Sequence, residues 1–296
     1  MNKLIAALPA MRPPFLLLAP ICVCLGASIA HYQQLQINLI DFTLALIGAL
    51  LSAIAVNTLN EYQDHQTGLD LATTKTPFSG GSGLLGKHPE LLSTVLAMAI
   101  ISSFLTLVIG GYFLSTVGYR IIPIGLSGLS IIWLYTNSLN KIPFACLIAP
   151  GIGFGFLIVL GSYIVITKNN SPLVWQLAVI PFLLINNLLL LNQYPDIEAD
   201  KNAGRNHVVI KYGTRIANLI YLIFTLLATS LVIWLQIYQQ LPPLFLLALL
   251  PCSLSFIAFK GMVTHQENIS EYPKYMIMNV IAANLTPLVM ALTLAI

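Results

Sequence analysis

The 296-residue sequence has very few charged side chains. Asp, Glu, Lys and Arg make up 8% of the residues, whereas apolar residues make up 57%. A soluble globular protein carries roughly three times that share of charge, because its surface must be solvated. The mean hydropathy of +0.86 points the same way. The composition therefore excludes a soluble enzyme and predicts an integral membrane protein.

Cysteine is also scarce. Cys22, Cys24, Cys146 and Cys252 all lie in apolar stretches, and none has metal-ligand spacing with a histidine. We interpret them as small buried side chains. The sequence likewise lacks a Ser/His/Asp arrangement, a dinucleotide fingerprint and a zinc signature. Hydrolytic, dinucleotide-dependent and zinc chemistries are therefore not indicated.

The apolar residues occur in runs of about 20 residues, the length that crosses a bilayer as a helix. These patterns predict an all-α, multi-pass membrane bundle with about nine transmembrane helices, and we expect residues 1–296 to form a single membrane domain. The first run lacks a cleavage site before it and is interpreted as a retained span. The nine runs cover residues 14–30, 38–57, 91–114, 119–137, 146–166, 173–192, 217–236, 242–260 and 274–295.

Lys and Arg are distributed unevenly between the connections. With the N-terminus in the cytoplasm, eleven of the thirteen lie on the cytoplasmic side, and only Arg120 and Lys168 lie on the other. This bias fits the positive-inside rule. It also accounts for the net charge of +3, so no nucleic-acid partner is expected.

Carboxylates are concentrated in two short segments. The pattern N-x-Y-x-D occurs at residues 60–64 and again at 192–196, and six of the ten acidic residues lie in or just after these copies. Four predicted spans separate the two copies, so both are expected on the cytoplasmic face. The six residues are Glu61, Asp64, Asp70, Asp196, Glu198 and Asp200.

Helical spacing gives each acidic segment a common face. Asp64 follows Asn60 by four residues, and Asp200 follows Asp196 by four, so each pair projects in one direction. Magnesium prefers such oxygen ligands together with substrate phosphate. A single copy is better explained as a helix cap. Two copies on one face favour a magnesium site that holds a phosphate.

Basic residues lie beside the acids. Lys75 follows the first cluster, and Lys201 and Arg205 follow the second. Arg suits bidentate phosphate binding and Lys acts as a point charge. Each of them is explained at least as well as a positively charged anchor at the cytoplasmic face. The sequence by itself therefore leaves their role in phosphate binding open.

At these residues the sequence resembles the UbiA superfamily of intramembrane prenyltransferases. Its first motif, N-D-x-x-D with a further Asp, corresponds to Asn60, Glu61, Asp64 and Asp70. Its second motif, D-x-x-x-D, corresponds to residues 196–200. Further similarities are Arg12-Pro13, residues 76–83, Tyr135-Thr136 with Lys141, and residues 204–213.

The sequence also departs from the family pattern. Glu61 replaces the usual Asp, and Gly153-Phe154-Gly155 stands where a Gly-Glu pair is common. The first motif is more similar to the branch that acts on 1,4-dihydroxy-2-naphthoate than to the 4-hydroxybenzoate branch.

The resemblance implies a helical bundle around a central cavity that opens to the cytoplasm and laterally to lipid. It implies magnesium-dependent transfer of an isoprenyl chain from an allylic diphosphate to an aromatic acceptor, in menaquinone-type quinone biosynthesis in a bacterial inner membrane. The implied metal ligands are Asp64, Asp70, Asp196, Asp200 and Glu61. The implied diphosphate contacts are Arg12, Asn60, Lys75, Lys141, Asn192 and Arg205. The implied catalytic residues are Asp64, Asp196 and Tyr135.

Three other functions remain open from the sequence. The same fold acts on another acceptor (4-hydroxybenzoate, a haem or a glycerol lipid), the chain is an inactive binding scaffold, or it is a transporter. Transport sites lie near the membrane midplane and use ionisable residues within spans. Asp41 is the only carboxylate near the outer end of a predicted span, and the middles of the spans carry no charge. This disfavours ion-coupled transport.

Overall fold

The computed structural model describes residues 3–69 and 80–296, and all regular secondary structure in these ranges is helical. The prediction of an all-α, multi-pass bundle is confirmed. Within these ranges eight helices are long and apolar enough to span a membrane, and one further apolar helix, Tyr119–Leu134, is shorter. The helices are α1 Pro13–Tyr32, α2 Leu39–Gln66, α3 Pro89–Val117, α4 Tyr119–Leu134, α5 Pro143–Thr167, α6 Pro172–Asn192, α7 Val208–Tyr238, α8 Pro243–Glu271 and α9 Pro273–Leu294.

The predicted count of nine is thus approximate, because α4 covers less of the chain than the run at 119–137. Proline sets many of the helix starts: α1, α3, α5, α6, α8 and α9 all begin with it. Proline suits the first turn because its φ angle is already helical and its missing N–H has no partner there anyway.

Helix α6 is the centre of the bundle. Of the most apolar stretch of α6, 72% is buried inside the protein, whereas the figure for the corresponding stretches of α2, α3 and α7 is 28%. It packs against α5, α7 and α9. Because α6 ends at Asn192, the second acidic segment begins at the end of the most buried helix.

Helix α5 is widened in its middle, where Gly151–Ile158 is π-helical. This stretch lies directly on α6: a Cβ at Gly151 would be 2.3 Å from Asn186 Oδ1, and one at Gly155 would be 2.4 Å from the Phe182 nitrogen. The Gly151 N–H also donates to Asn186 Oδ1 at 2.8 Å. Of the two glycines that stand where the family's Gly-Glu pair is common, Gly155 is therefore in a close helix–helix contact with α6, whereas Gly153 is not. π-Helical turns such as this one are frequent at functional sites.

The two ends of the bundle differ in chemistry. Helices α2, α4 and α6 end, and α1, α3, α5 and α7 begin, at the end that carries both acidic motifs. At the opposite end Asp41 is buried and satisfied: Lys168 Nζ lies 2.7 Å from its Oδ2 and the Tyr112 hydroxyl donates to its Oδ1 at 3.0 Å. The ion pair joins α2 to the end of α5, and the tyrosine hydrogen bond joins α2 to α3. Asp41, the one carboxylate at that end among the described residues, therefore has a structural role.

Replacing Gly155 with Ala is expected to lower the stability of the bundle. The new methyl group would meet backbone atoms of α6, which cannot move aside as a flexible side chain can, and overpacking of this kind typically costs about 1–3 kcal/mol. Thermal unfolding of the purified protein in detergent measures the effect. Gly153→Ala is the matched control, since a Cβ there meets nothing within 4 Å in the described part of the chain. An equal melting temperature for both variants would contradict this account of the contact.

Candidate active site

A cavity of about 920 Å³ lies inside the bundle and reaches the end that carries both acidic motifs. Its polar end is lined by side chains from both motifs and from the chain before α1. The rest is lined mainly by apolar residues of α1 to α6. The polar group consists of Arg12, Asn60, Asp64, Asn192, Asp196, Asp200, Arg205 and His207. The shape suits a ligand with a charged head and a long apolar tail.

Arg205 joins the two acidic motifs. Its Nη2 donates to Asp64 Oδ1 in a very short ion pair, and its Nη1 donates to Asp200 Oδ1 at 2.9 Å. Both carboxylates are nearly buried, with 5% and 3% of their residues exposed. Burial alone would lower the pKa of Arg205, but Asp64 and Asp200 together raise it above its ordinary value. Arg205 is therefore a fixed cation at the centre of the site.

His207 is a second partner of Asp200. Its Nε2 lies 3.1 Å from Asp200 Oδ2, and the residue is 1% exposed while lining the cavity. The sequence analysis gave this histidine no role. His207 lies in the family-like segment 204–213, seven residues after Asp200. This spacing alone does not show that the chain turns back and brings the imidazole to the Asp200 carboxylate.

Asp196 is the least satisfied carboxylate of the group. Its Oδ2 accepts from the Gly80 N–H at 3.1 Å, whereas its Oδ1 is buried and has no hydrogen-bond partner among the described residues. Burial, followed by the nearby Asp200 carboxylate, raises the pKa of Asp196 to about 7. The neighbouring Asn192 Oδ1 is also buried and unpartnered in the described ranges. These two oxygens have room for a further ligand.

Glu61 is fully buried and engaged at both oxygens. Arg12 Nη2 donates to Oε2 at 3.3 Å, the Ser82 N–H donates to Oε2 at 3.0 Å, and the Ser82 hydroxyl makes a very short bond to Oε1. Since Gly80 contacts Asp196, the segment from Gly80 to Ser82 connects the two motifs. The glycines at 80 and 81 have φ angles of 79° and 70°, which only glycine adopts without strain. The sequence analysis included this segment only as part of the family similarity at residues 76–83 and gave Ser82 no role.

The remaining predicted residues fall into three groups. Asn60 and Tyr135 line the cavity, and Asn60 Nδ2 donates to Thr136 Oγ1 at 2.9 Å. Lys141 is exposed and is not in the cavity lining, although its carbonyl accepts from Asn206 Nδ2 at 3.3 Å. Asp70 and Lys75 lie outside the described residues.

The sequence matches the model of the UbiA prenyltransferase family over residues 17–281. The chain belongs to this family. It is 31% identical over 222 residues to the 1,4-dihydroxy-2-naphthoate octaprenyltransferase of Bacillus subtilis (strain 168), covering 74% of this chain and 68% of that protein. The enzyme of the same name from Escherichia coli (strain K12) is 29% identical, covering 70% and 68%.

Two solved structures share the fold. A UbiA homologue from Archaeoglobus fulgidus bound to DMAPP and Mg²⁺ superimposes with a TM-score of 0.62 at 15% identity, covering 95% of this chain and 98% of that one. An apo UbiA homologue from Aeropyrum pernix K1 gives 0.67 at 15% identity, covering 92% and 96%. The chain is thus a UbiA-family prenyltransferase, with the fold of that family over almost its whole length.

The donor set of this prenyltransferase suits a divalent ion of the magnesium type. The available ligands are hard carboxylate and amide oxygens, and the free oxygens of Asp196 and Asn192 are oriented by α6 and the turn after it. Within residues 3–69 and 80–296 no three acidic, His or Cys side chains are grouped closely enough to hold an ion by themselves. Arg205 lies between Asp64 and Asp200 and pairs with both.

The stability of metal-free protein is expected to depend on Asp196 ionisation. The pKa of Asp196 rises from 3.8 to about 7 on folding, so folding favours the neutral acid and the penalty for ionisation grows between pH 4 and 7. In EDTA, Asp196→Asn should therefore raise the melting temperature more at pH 8 than at pH 5.5. Asp200→Asn is the control, and it should lower the melting temperature because it disrupts bonds to Arg205 and His207. A gain for Asp196→Asn that does not increase with pH would contradict the burial argument.

Proposed function

We propose that this prenyltransferase transfers an isoprenyl chain from an allylic prenyl diphosphate to 1,4-dihydroxy-2-naphthoate, in a magnesium-dependent step of menaquinone-type quinone biosynthesis. One observation carries the proposal: the cavity joins two acidic motifs and two guanidinium groups at one end to an apolar interior. The relatives from B. subtilis and E. coli support the acceptor, because both are named for this naphthoate.

Binding of the diphosphate depends on the charges at the polar end. Arg12 and Arg205 line the cavity there, and guanidinium groups bind phosphate oxygens in a bidentate manner. Arg12 has a free Nε, which has no partner in the described part of the protein. A bound magnesium ion, held by Asp64, Asp196 and Asp200 with Asn192, would neutralise the negative charge that develops on the departing diphosphate.

Bond rearrangement then proceeds within the cavity. The allylic C–O bond breaks with its electron pair going to the diphosphate, and the positively charged guanidinium groups of Arg12 and Arg205 stabilise that charge. A ring carbon of the acceptor then forms the new C–C bond and loses the group it carried, as a proton from a C–H carbon or as CO2 from the carbon that bears the carboxylate. The electron pair of the broken bond returns to the ring and restores aromaticity. The Tyr135 ring, which lines the cavity, is placed to face the cationic allylic carbon.

The apolar interior protects the cation and holds the tail. Its walls come from α1 to α6 and include glycines at 110, 111 and 125, where a Cβ would meet no atom of the described residues within 4 Å. These positions therefore border open space. Excluding water from this region prevents hydrolysis of the allylic cation.

The orientation in the membrane follows from charge. The end that carries the site also carries most of the Lys and Arg residues, so we assign it to the cytoplasm by the positive-inside rule. Water-soluble magnesium and the diphosphate group would reach the site from that side, while the tail enters from lipid. We further propose a bacterial cell membrane as its location.

Separate Asp64→Asn and Asp196→Asn variants should each lose activity by about two orders of magnitude or more, as expected when a group that supports charge stabilisation is lost. The assay uses purified protein, Mg²⁺, a labelled allylic diphosphate and 1,4-dihydroxy-2-naphthoate. Glu198→Gln is the matched control, because Glu198 lies in the same segment but is exposed and outside the cavity lining. Near-full activity of both Asp variants would overturn the assignment of these residues.

Acceptor choice is tested by competition. We expect the labelled prenyl chain to appear on 1,4-dihydroxy-2-naphthoate and not on 4-hydroxybenzoate when both are supplied at equal concentration. Chromatography of the lipid extract identifies the product. Label found mainly on 4-hydroxybenzoate would retain prenyl transfer but refute the naphthoate acceptor.

A further inference from the structure

A second group of polar side chains lies on the cavity wall next to the acidic motifs. Gln193, Cys146 and Tyr135 all line the cavity. Gln193 Nε2 donates to Cys146 Sγ at 3.3 Å, and the Tyr135 hydroxyl lies 3.9 Å from the same sulfur. Neither Gln193 nor Cys146 was given a role by sequence reasoning. The three side chains come from the turn after α6, from α5 and from the end of α4.

Gln193 carries an unused hydrogen-bond acceptor. The residue is 7% exposed, and its Oε1 is buried without a partner among the residues that the structure describes. A buried amide oxygen without a donor destabilises the protein, because the oxygen has lost its bonds to water and gained no replacement. The terminal torsion of a glutamine side chain is broad, so this oxygen can turn towards a ligand in the cavity at small cost.

The position of Gln193 is at the boundary between the two parts of the cavity. Leu189, one helical turn earlier, lines the apolar part, and Asp196, three residues later, belongs to the acidic group. Arg205 lines the same cavity as Gln193 and Tyr135, so this wall and the charges proposed to bind the diphosphate face one common space. A group held here would lie beside the allylic carbon.

Gln193 Oε1 is a hydrogen-bond acceptor and therefore needs a donor, which distinguishes the diphosphate from the aromatic acceptor as its partner. An ionised diphosphate has acceptor oxygens only, so it cannot satisfy an amide oxygen. A phenolic hydroxyl is a donor and can. We propose that Gln193 binds the aromatic acceptor, with its Oε1 accepting a hydrogen bond from a ring hydroxyl and with Cys146 and Tyr135 forming the adjoining wall. This inference rests on the proposed function.

Such a bond would orient and activate the ring. An amide oxygen that accepts from a phenolic O–H draws the proton away from the ring and increases electron density on the ring carbons, which favours attack on an allylic cation. It would also reject aromatic compounds without the hydroxyl, because they leave Oε1 buried and unpaired. Gln193 is thus a residue that determines acceptor specificity.

The test compares Gln193→Leu with wild type on three acceptors: 1,4-dihydroxy-2-naphthoate and its two mono-O-methyl ethers. We expect kcat/KM for the dihydroxy acceptor to fall about three- to tenfold, the value of one neutral hydrogen bond. The KM for the prenyl diphosphate and the magnesium requirement should not change. For the ether that blocks the contacted hydroxyl, wild type and variant should be equally slow.

Gln176→Leu is the matched control. Gln176 lies near the start of α6, outside the cavity lining, and its Oε1 accepts from Gln239 Nε2 at 2.7 Å. It should leave all acceptor ratios unchanged. If Gln193→Leu does not fold, Gln193→Asn keeps the amide but shortens its reach, and the same loss for the dihydroxy acceptor alone is expected.

The outcomes separate this inference from the proposed function. Absence of naphthoate prenylation by wild type refutes the proposed function and with it the inference. Activity in wild type with an unchanged acceptor kcat/KM in folded Gln193→Leu refutes the inference alone. A raised prenyl diphosphate KM or magnesium requirement in that variant would also refute it, since Gln193 would then belong to the diphosphate site.

Discussion

The structure of the active-site end depends on the ion pairs of Arg205. This one guanidinium contacts Asp64 at the end of α2 and Asp200 in the short helix Ile197–Asn202, which are far apart in sequence. Two buried carboxylates without a cation would repel each other and would be expensive to keep ionised. Arg205 therefore allows both motifs to approach within one cavity. Their approach forms the polar end of the cavity next to its apolar interior.

The segment from Gly80 to Ser82 completes the arrangement with backbone groups. It donates one N–H to Asp196 and one to Glu61, so each motif is also held through a neutral contact. Arg12 reaches Glu61 from the chain before α1. Arg12 itself has a left-handed φ of 50°, an uncommon conformation for a non-glycine residue. Such strain is often found where the surrounding structure fixes a functional side chain.

Much of the architecture could be predicted from the sequence because it depends on local patterns. Apolar runs of bilayer length predict spans, and two copies of a motif on one membrane face predict a single shared metal and phosphate site. The position of Arg205 could not be predicted in the same way: the sequence analysis treated it as a diphosphate contact or an anchor, whereas it pairs with a residue 141 positions earlier. Ser82, His207 and Gln193 were missed for the same reason, since each acquires its surroundings only when distant helices pack.

The opposite end of the bundle shows what a purely structural ion pair looks like. There, Asp41 is matched by one cation, Lys168, and a tyrosine hydroxyl. One negative and one positive charge cancel, and the carboxylate has a partner at each oxygen. Nothing further is needed to stabilise it.

The active-site end is not balanced in this way. Among the described residues, its four carboxylates at positions 61, 64, 196 and 200 face two guanidinium groups, those of Arg12 and Arg205. Ionisation of all four leaves an excess of two negative charges. Burial, followed by the nearby Asp200 carboxylate, raises the pKa of Asp196 to about 7, so a proton on Asp196 relieves part of this excess. A diphosphate would add further negative charge to the same space. The excess, absent around Asp41, is what the proposed divalent cations would neutralise, and it distinguishes this end from one built only to hold helices together.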